Sequence, residues 1–445
     1  MMGFILADLR KFWLGSAVVV LIVALAVALG VAVSLQERAL RLGSARAADR
    51  FDLVIGAAGS ENQLVLSSVF LQASPLPLMD GAVLQTLSAD PRVAWAAPIG
   101  FGDAYAGYPI VGTTTSLVAN LSGGLAEGAV FAHEGDAVIG SAVALAIGDE
   151  IKPMHGNAEE GGHTHTELAY HVTGRLKPTG TAWDRAILVP IQAVWHIHGL
   201  GDHKAEAAHD QDHGAEVQPA VPAGEDHAHE QEAHEEAAHD HDAHAAEEHR
   251  HGEAHAEAPI DESWKGEIPG LPAILVKPKT IADAYKLRQD YRQGATLAVF
   301  PAEVLTRLYA TLGDAKRVLF AVAIGSQVLV AASLLLVTVM HVAQRRRQIG
   351  ALRALGAPRG ALFTIVWLEL FALVAIGVAI GFGLGYGAAV AISGVVTDGS
   401  GVAMPVGFSN EDLAFAVALL GSAALLAAIP AVLAYRQSPA SALRG

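Results

Sequence analysis

Four long apolar runs divide this chain. Leu14 to Leu35 is apolar throughout, and Val318 to Val342 is broken only by Gln327, a few hydroxyls and His341. Leu362 to Ile392 is interrupted only by Glu369, and Leu413 to Tyr435 carries Pro430 near its end. Each exceeds the roughly 20 residues a helix needs to cross a hydrocarbon core about 30 Å thick. The pattern predicts an α-helical membrane protein with four transmembrane helices, at 14–35, 318–342, 362–392 and 413–435. The first run outlasts the roughly 7–15 residue apolar core of a cleaved signal peptide. The "SLQERALRLG" that follows it offers no convincing A-x-A cleavage site, so it reads as a retained helix.

Between the first two runs the pattern changes to short alternations. "RVAWAAPIGFGDAYAGYPIVGTT" and "ELAYHVTGRLKPTGTAWDRAILVP" are β-prone stretches punctuated by Gly and Pro, and "PAILVKPKT" reads as another strand. "SSVFLQASPLPLMDGAVLQTLSAD" has helical character, and "IADAYKLRQDYRQG" predicts a helix stopped at Gly294. Residues 36–316 therefore read as a mixed α/β domain inserted between helices 1 and 2. The remaining pieces are an interfacial helix at 1–13, a polar link at 343–361, a loop at 393–412 and a tail at 436–445.

Basic residues orient this arrangement. Arg10 and Lys11 precede the first helix, and Arg345, Arg346, Arg347, Arg353 and Arg359 crowd the link between the second and third. Arg436 and Arg444 follow the fourth, whereas the link between the third and fourth has no basic residue. The excess of Lys and Arg marks the cytoplasmic side. Both termini and the 343–361 link are thus expected in the cytoplasm of a multi-pass inner (plasma) membrane protein, and 36–316 outside. Arg38, Arg41, Arg46 and Arg50 run against this pattern, but long exported domains cross largely regardless of charge.

Charge also isolates one segment. The chain carries a formal −16. Between Asp202 and Glu257 stand 17 Asp or Glu against Lys204 and Arg250, so this stretch contributes −15 and the rest only −1. It holds 12 of the 20 histidines, with His196 and His198 just upstream. With almost no large apolar residue, 202–258 cannot bury a core and is expected to be a disordered insertion. Neutral imidazole beside carboxylate suits zinc, and also copper or nickel. His227, His229, His234, His239, His241, His244, His249, His251 and His255 are candidate ligands. On a helix, His241, His244, His251, His255 and Glu248 would share an arc of about 80°. Gly252 weakens such a helix, so several interchangeable sites are expected rather than one closed tetrahedral site. An inert acidic spacer is the alternative. A smaller cluster, His155, His163 and His165 in "MHGNAEEGGHTHTE", is a second metal candidate or a plain polar loop.

The 343–361 link has its own pattern. In "AQRRRQIGALRALGAPRGAL", Ile349, Leu352, Leu355 and Leu362 can form one apolar side while Arg346, Arg353 and Arg359 stay solvated. A short helix of this kind can dock in a partner's cleft. The same arginines would also bind the anionic headgroups of membrane lipids.

"QRRRQIGALRALGAPRGALFTIVWLELFALVAIG" resembles the Arg-rich coupling segment and third helix of the MacB/FtsX-like permeases, membrane subunits of one class of ABC transporters. "AIPAVLAYRQSPASALRG" is similar to that family's closing pattern, and "FDLVIGAAGSENQLVLSSVF" and "LKPTGTAWDRAILVP" to a branch with an extracytoplasmic domain of this kind. The histidine-rich tract departs from the family. The resemblance implies a homodimer bound to a separate cytoplasmic ABC ATPase, contacted through Arg345, Arg346, Arg347, Ile349, Leu352, Arg353 and Leu355. It also implies motion passed from that ATPase to the outer domain.

The chain has no G-x-x-x-x-G-K-[ST] phosphate loop, so ATP is expected on the partner subunit and not here. No catalytic constellation stands out, the protein reads as a non-catalytic permease subunit, and no cofactor is required on this chain beyond zinc that the tract could bind. The absence of cysteine removes disulfides and thiolate sites. Partners expected besides the ATPase are a second copy, membrane lipids, and a periplasmic metal-binding or envelope protein, with no nucleic acid. Three functions follow: a permease acting on an envelope substrate with a zinc-linked tract, a direct metal-uptake permease, or a non-transporting scaffold regulating an envelope hydrolase.

Overall fold

The computed structural model of the protein describes residues 13–72, 74–101, 103–155, 163–164, 169–200, 256–311, 321, 324–325, 328, 332 and 358–436. Its helices are α1 (Trp13–Ala48), α2 (Glu61–Ser68), α3 (Ala82–Ala89), α4 (Thr115–Leu121), α5 (Ile191–Ile197), α6 (Ile281–Asp290), α7 (Arg359–Ser400) and α8 (Asn410–Arg436). Its strands are β1 (Leu53–Ala57), β2 (Val93–Ile99), β3 (Asp103–Tyr105), β4 (Tyr108–Thr113), β5 (Leu125–Gly128), β6 (Asp136–Ile139), β7 (Glu150–Ile151), β8 (Met154–His155), β9 (His163–Thr164), β10 (Tyr170–Leu176), β11 (Ile187–Pro190), β12 (Ala273–Pro278) and β13 (Thr296–Val299). The chain divides into two units, Met1–Ala47 with Leu305–Gly445, and Ala48–Val304.

In the first unit, α1, α7 and α8 contain the segments long and apolar enough to cross a membrane. Val-rich stretches such as "VVVLIVALAVALGVAV" are poor helix formers in water. In hydrocarbon, however, every backbone polar group must be paired within the segment, and the helix does this. The expected second span, 318–342, lies outside the described residues except for 321, 324, 325, 328 and 332, which are helical. The helices outrun their apolar cores. At 1.5 Å per residue α1 is about 54 Å long and α7 about 63 Å. α1 passes without a break from Leu35 into the polar "QERALRLGSARAA". α7 likewise runs through "GVVTDGS", where the sequence suggested a loop from 393, and stops only where Gly401 adopts φ 73° and its N–H meets the Thr397 carbonyl at 2.7 Å. The loop proper is 401–409.

Small residues let α1 and α7 touch. Gly377, Gly381 and Gly385 recur every fourth position on α7. A Cβ on any of them would lie 2.7–2.8 Å from Val23, Val27 or Val31 side chains, and at Gly381 and Gly385 it would also lie 2.7 Å from the Ala24 and Ala28 carbonyl oxygens. The buried Val23, Val27, Val31, Leu35, Val378 and Ala389 form the core of this contact. Where apolar side chains gain nothing over lipid, such close backbone approach is what holds helices together. Arg38, which seemed to break the charge rule, is neutralised. Its guanidinium forks onto Asp412 at 2.6 and 3.2 Å, and donates to the Gly407 carbonyl at 3.2 Å. Asp412 in turn accepts from the Ser409 N–H at 2.7 Å, closing the N-terminus of α8 as in a capping box.

In the second unit, a four-stranded antiparallel sheet runs β13-β1-β12-β2. Leu53, Ile55, Ile274 and Val276 project from it onto Leu84, Leu87 and Leu287 of α3 and α6. β12 follows the histidine-rich tract yet lies between β1 and β2, so the chain must return after the tract to complete this sheet. Ser60 starts α2, its hydroxyl accepting the Gln63 N–H at 3.3 Å. The single helical stretch expected at 67–90 is instead two helices: Leu71 takes φ 52°, and Pro75 and Pro77 stand in the irregular link before α3. After α3, Asp90 accepts from the Arg92 guanidinium at 2.7 Å, and Arg92 also reaches Asp290 of α6 at 2.8 Å.

That pairing has a pH signature. The Arg92 guanidinium holds the Asp90 carboxyl below its usual range. A carboxylate favoured by the fold contributes stability above its unfolded pKa of about 3.9, and that contribution fades as pH falls through the lower folded value. Asp90→Asn should therefore lower the melting temperature at pH 7, and the gap to the parent should shrink below pH 4. A gap of equal size at pH 3 would show that the charge on Asp90 is immaterial.

The second sheet of this unit has nine strands, β5-β10-β6-β11-β4-β3-β8-β9 with β7 also on β10. Its core comprises Ile110, Ile139, Ile151, Tyr170, Val172, Ile187, Val189 and Val194. The "LKPTGTAWD" motif is a buried turn here. Asp184 accepts from Thr179 N–H and Oγ1 at 2.7 and 2.9 Å and from Gly180 N–H at 2.7 Å, while Trp183 is fully buried.

Candidate functional site

The histidine-rich tract is held at both ends by one short segment. β11 delivers the chain into α5, whose Ile191 and Val194 sit over Gly100 and Gly112, themselves paired through two backbone hydrogen bonds of 2.9 and 3.0 Å. A Cβ at either glycine would come within 2.6–2.7 Å of those side chains, so the absence of side chains there lets the helix seat. α5 ends in a Schellman motif: Gly199 takes φ 63°, its N–H meets the His196 carbonyl at 3.0 Å, and the Leu200 N–H meets that of Trp195 at 2.8 Å. The helix end fixes His196, whose Nδ1 lies 2.6 Å from Glu134 Oε2.

The chain returns beside the same residue. Gly135 N–H donates to the Ala256 carbonyl at 3.0 Å, Glu134 N–H to that of Ala258 at 2.9 Å, and Ile260 N–H to that of Ala132 at 3.2 Å. Glu262 then accepts from Thr115 N–H and Oγ1 at 2.6 and 2.7 Å, and Trp264 meets Trp195 edge-on at 6.3 Å. The expected insertion, 202–258, thus reaches too far. Residues 256–258 are hydrogen-bonded to 134 and 135, because a polar backbone passing a strand end pairs there whatever its side chains.

Around this root the polar groups are buried. Glu134 is 5% exposed and Asp103 7%. Tyr170 lies beside them on β10, where the neighbouring His171 N–H donates to the Gly135 carbonyl at 2.7 Å. Burial pushes the Tyr170 phenol well up, with the Asp103 and Glu134 charges adding to the shift, and among the described residues its hydroxyl has no hydrogen-bond partner. Strand register places His155 opposite Asp103, and His163 opposite His155. Among the described residues no three His, Asp or Glu side chains form a group able to hold a metal ion.

His227, His229, His234, His239, His241, His244, His249, His251 and His255 lie outside the described residues, as do His165 and all seven coupling positions from Arg345 to Leu355. Of the secondary cluster, His155 and His163 are cross-strand neighbours. Glu134, Asp103 and Tyr170 had no sequence signal. His196 did have one, its place just upstream of the tract.

A search of curated proteins finds no match to this sequence. Among solved structures, the periplasmic region of MacB from Actinobacillus actinomycetemcomitans is similar at 9% identity over 59% of this chain and 95% of that one, with a TM-score of 0.31. That overlap is too loose to add weight. Residues 320–440 match the family described as FtsX-like permease C-terminal. This match covers the Arg-rich link, α7 and α8, the same stretch whose motifs resembled that family. Over residues 320–440 the chain is thus similar to the FtsX-like permease C-terminal family.

Proposed function

We propose that two copies of this chain, with both termini and the 343–361 link in the cytoplasm, bind two copies of a separate ATPase and carry its ATP-driven motion outward to the α/β unit. The observation that carries this is the FtsX-like domain, in a chain that has no phosphate loop of its own. The continuity of α1 from its apolar core into its polar extension supports it, since a rigid helix can pass displacement along its axis. The insertion links this machine to a transition metal of the zinc class, acting as sensor or buffer while the permease works on an envelope substrate. Its support is 12 histidines among 17 carboxylates in a segment rooted at both ends on 132–136.

Calorimetric titration of zinc into the intact chain and into a chain lacking 202–255 tests the metal link. The deleted chain should stay folded and membrane-inserted, because the removed segment is too polar to bury a core. It should also bind far fewer equivalents. Below about pH 6 both should lose zinc as imidazole protonates. Equal binding by the two chains at neutral pH would end the metal role of the insertion.

A further inference from the structure

α7 and α8 come last in the chain, so they reach the α/β unit only back through the 343–361 link and the expected second span, or by contact. Two segments enter that unit by chain: α1 at its Ala48 end, and the helical residues 301–311. Contacts converge on the polar end of α1. The 401–409 loop lies against it, close enough that a Cβ at Gly43 would stand 2.5 Å from the Ala403 carbonyl oxygen and 3.4 Å from the Met404 Cα. Nearer the apolar core, Gln36 Nε2 reaches Met404 Sδ at 3.9 Å. Arg38 donates to the Gly407 carbonyl at 3.2 Å and forks onto Asp412 at 2.6 and 3.2 Å. The loop is held to α7 as well, where Ser393 Oγ donates to the Met404 carbonyl at 2.6 Å. One residue beyond Gly43, the Ser44 hydroxyl shares a 2.6 Å hydrogen bond with that of Tyr309, in the 301–311 segment.

Apolar packing is non-directional, whereas a two-pronged guanidinium–carboxylate pair fixes position as well as distance. The Arg38 and Asp412 side chains are only 14% and 10% exposed, so salt and water screen the pair weakly. We propose that these contacts form a clamp that makes the polar end of α1, the loop between α7 and α8, and the 301–311 segment move as one. Motion arriving at α7 from the coupling link then enters the α/β unit through both of its chain connections. The clamp rests on the ATP-driven reading above and gives that motion its path. Arg38 and Asp412 are positioning residues, acting on the α/β unit through α1.

The test uses the full chain in complex with its cognate ATPase. It reads amide hydrogen exchange across the α/β unit with and without ATP and magnesium, beside the rate of hydrolysis. Nucleotide should change exchange in the parent complex. Arg38→Met with Asp412→Asn removes both charges together, so neither is left unpaired, and the Asn oxygen can still accept from the Ser409 N–H. Gly43→Ala keeps the charges but drives a Cβ into the Ala403 carbonyl, and Ala is the better helix former. Both variants should retain stimulated hydrolysis while the exchange response of the α/β unit is lost. Gly30→Ala, on the same helix with open space around it, should leave the response unchanged. Protease resistance of the α/β unit and the melting temperature of the complex check folding. Should the double variant fail that check, Gly43→Ala decides. A full exchange response in either folded clamp variant would overturn the clamp and leave the ATP-driven reading standing, and so would loss of the response in Gly30→Ala. A parent complex with no nucleotide-dependent exchange would end that reading and the clamp with it.

Discussion

Gly381→Leu should abolish stable assembly of the membrane unit. Even a single Cβ at this position would lie 2.7 Å from the Ala24 carbonyl oxygen and 2.7 Å from Val27 Cβ, and the first of these is backbone within a helix that cannot give locally. α1 and α7 would have to separate along the contact that also buries Val23, Val31 and Leu35. Overpacking a well-packed core costs about 1–3 kcal/mol, and a full Leu against backbone belongs at or beyond the top of that range. The loss should appear as a lower melting temperature in detergent and poor recovery from the membrane. Gly383, two positions along the same helix, has open space around it. Gly383→Ala should leave stability unchanged or raise it, since Ala is the better helix former by about 1 kcal/mol. If both substitutions behave alike, the α1–α7 contact is not what the glycine spacing implies.

The sequence exposed parts of this molecule unequally, for physical reasons. Leu14–Leu35 and Leu413–Tyr435 were visible because hydrocarbon demands uninterrupted apolar length. Where the helices end was not, since Gln36 to Ala48 and Gly394 to Ser400 are polar or neutral residues that remain helical by continuity with the span before them. The Gly377, Gly381 and Gly385 repeat stood in the sequence as a small-residue spacing, but nothing in it named α1 as the partner. Likewise, "HIHGLG" placed His196 and His198 just upstream of the tract. Glu134, the partner of His196, lies 62 residues away, and only the paths of β6 and β11 through the larger sheet bring the two together. Cross-strand placement of His155 against Asp103 depends on register, which the short, glycine-flanked stretches around them do not encode. The resemblance read in the Arg-rich segment, by contrast, agrees with the FtsX-like match over 320–440, because it rests on a run of local residues.

Reversing that surface should have the second large effect. With Arg346→Glu, Leu352→Asp and Arg353→Glu combined, the link would present acid where it now carries a basic, apolar-sided helix pattern. Loss of a buried apolar anchor and of complementary charge costs at least about 2 kcal/mol at an interface centre, roughly 30-fold in affinity. The α/β unit lies in a separate part of the chain and should remain folded and protease-resistant.

The direct measurement is ATP hydrolysis by the cognate ATPase, purified in complex with this chain and with the triple variant, with the mass of each complex determined alongside. A complex of two permease chains and two ATPase subunits whose hydrolysis is stimulated by the parent chain, but not by the folded triple variant, is the predicted result. A stable complex of one chain and one ATPase, or undiminished stimulation by the variant, would contradict it.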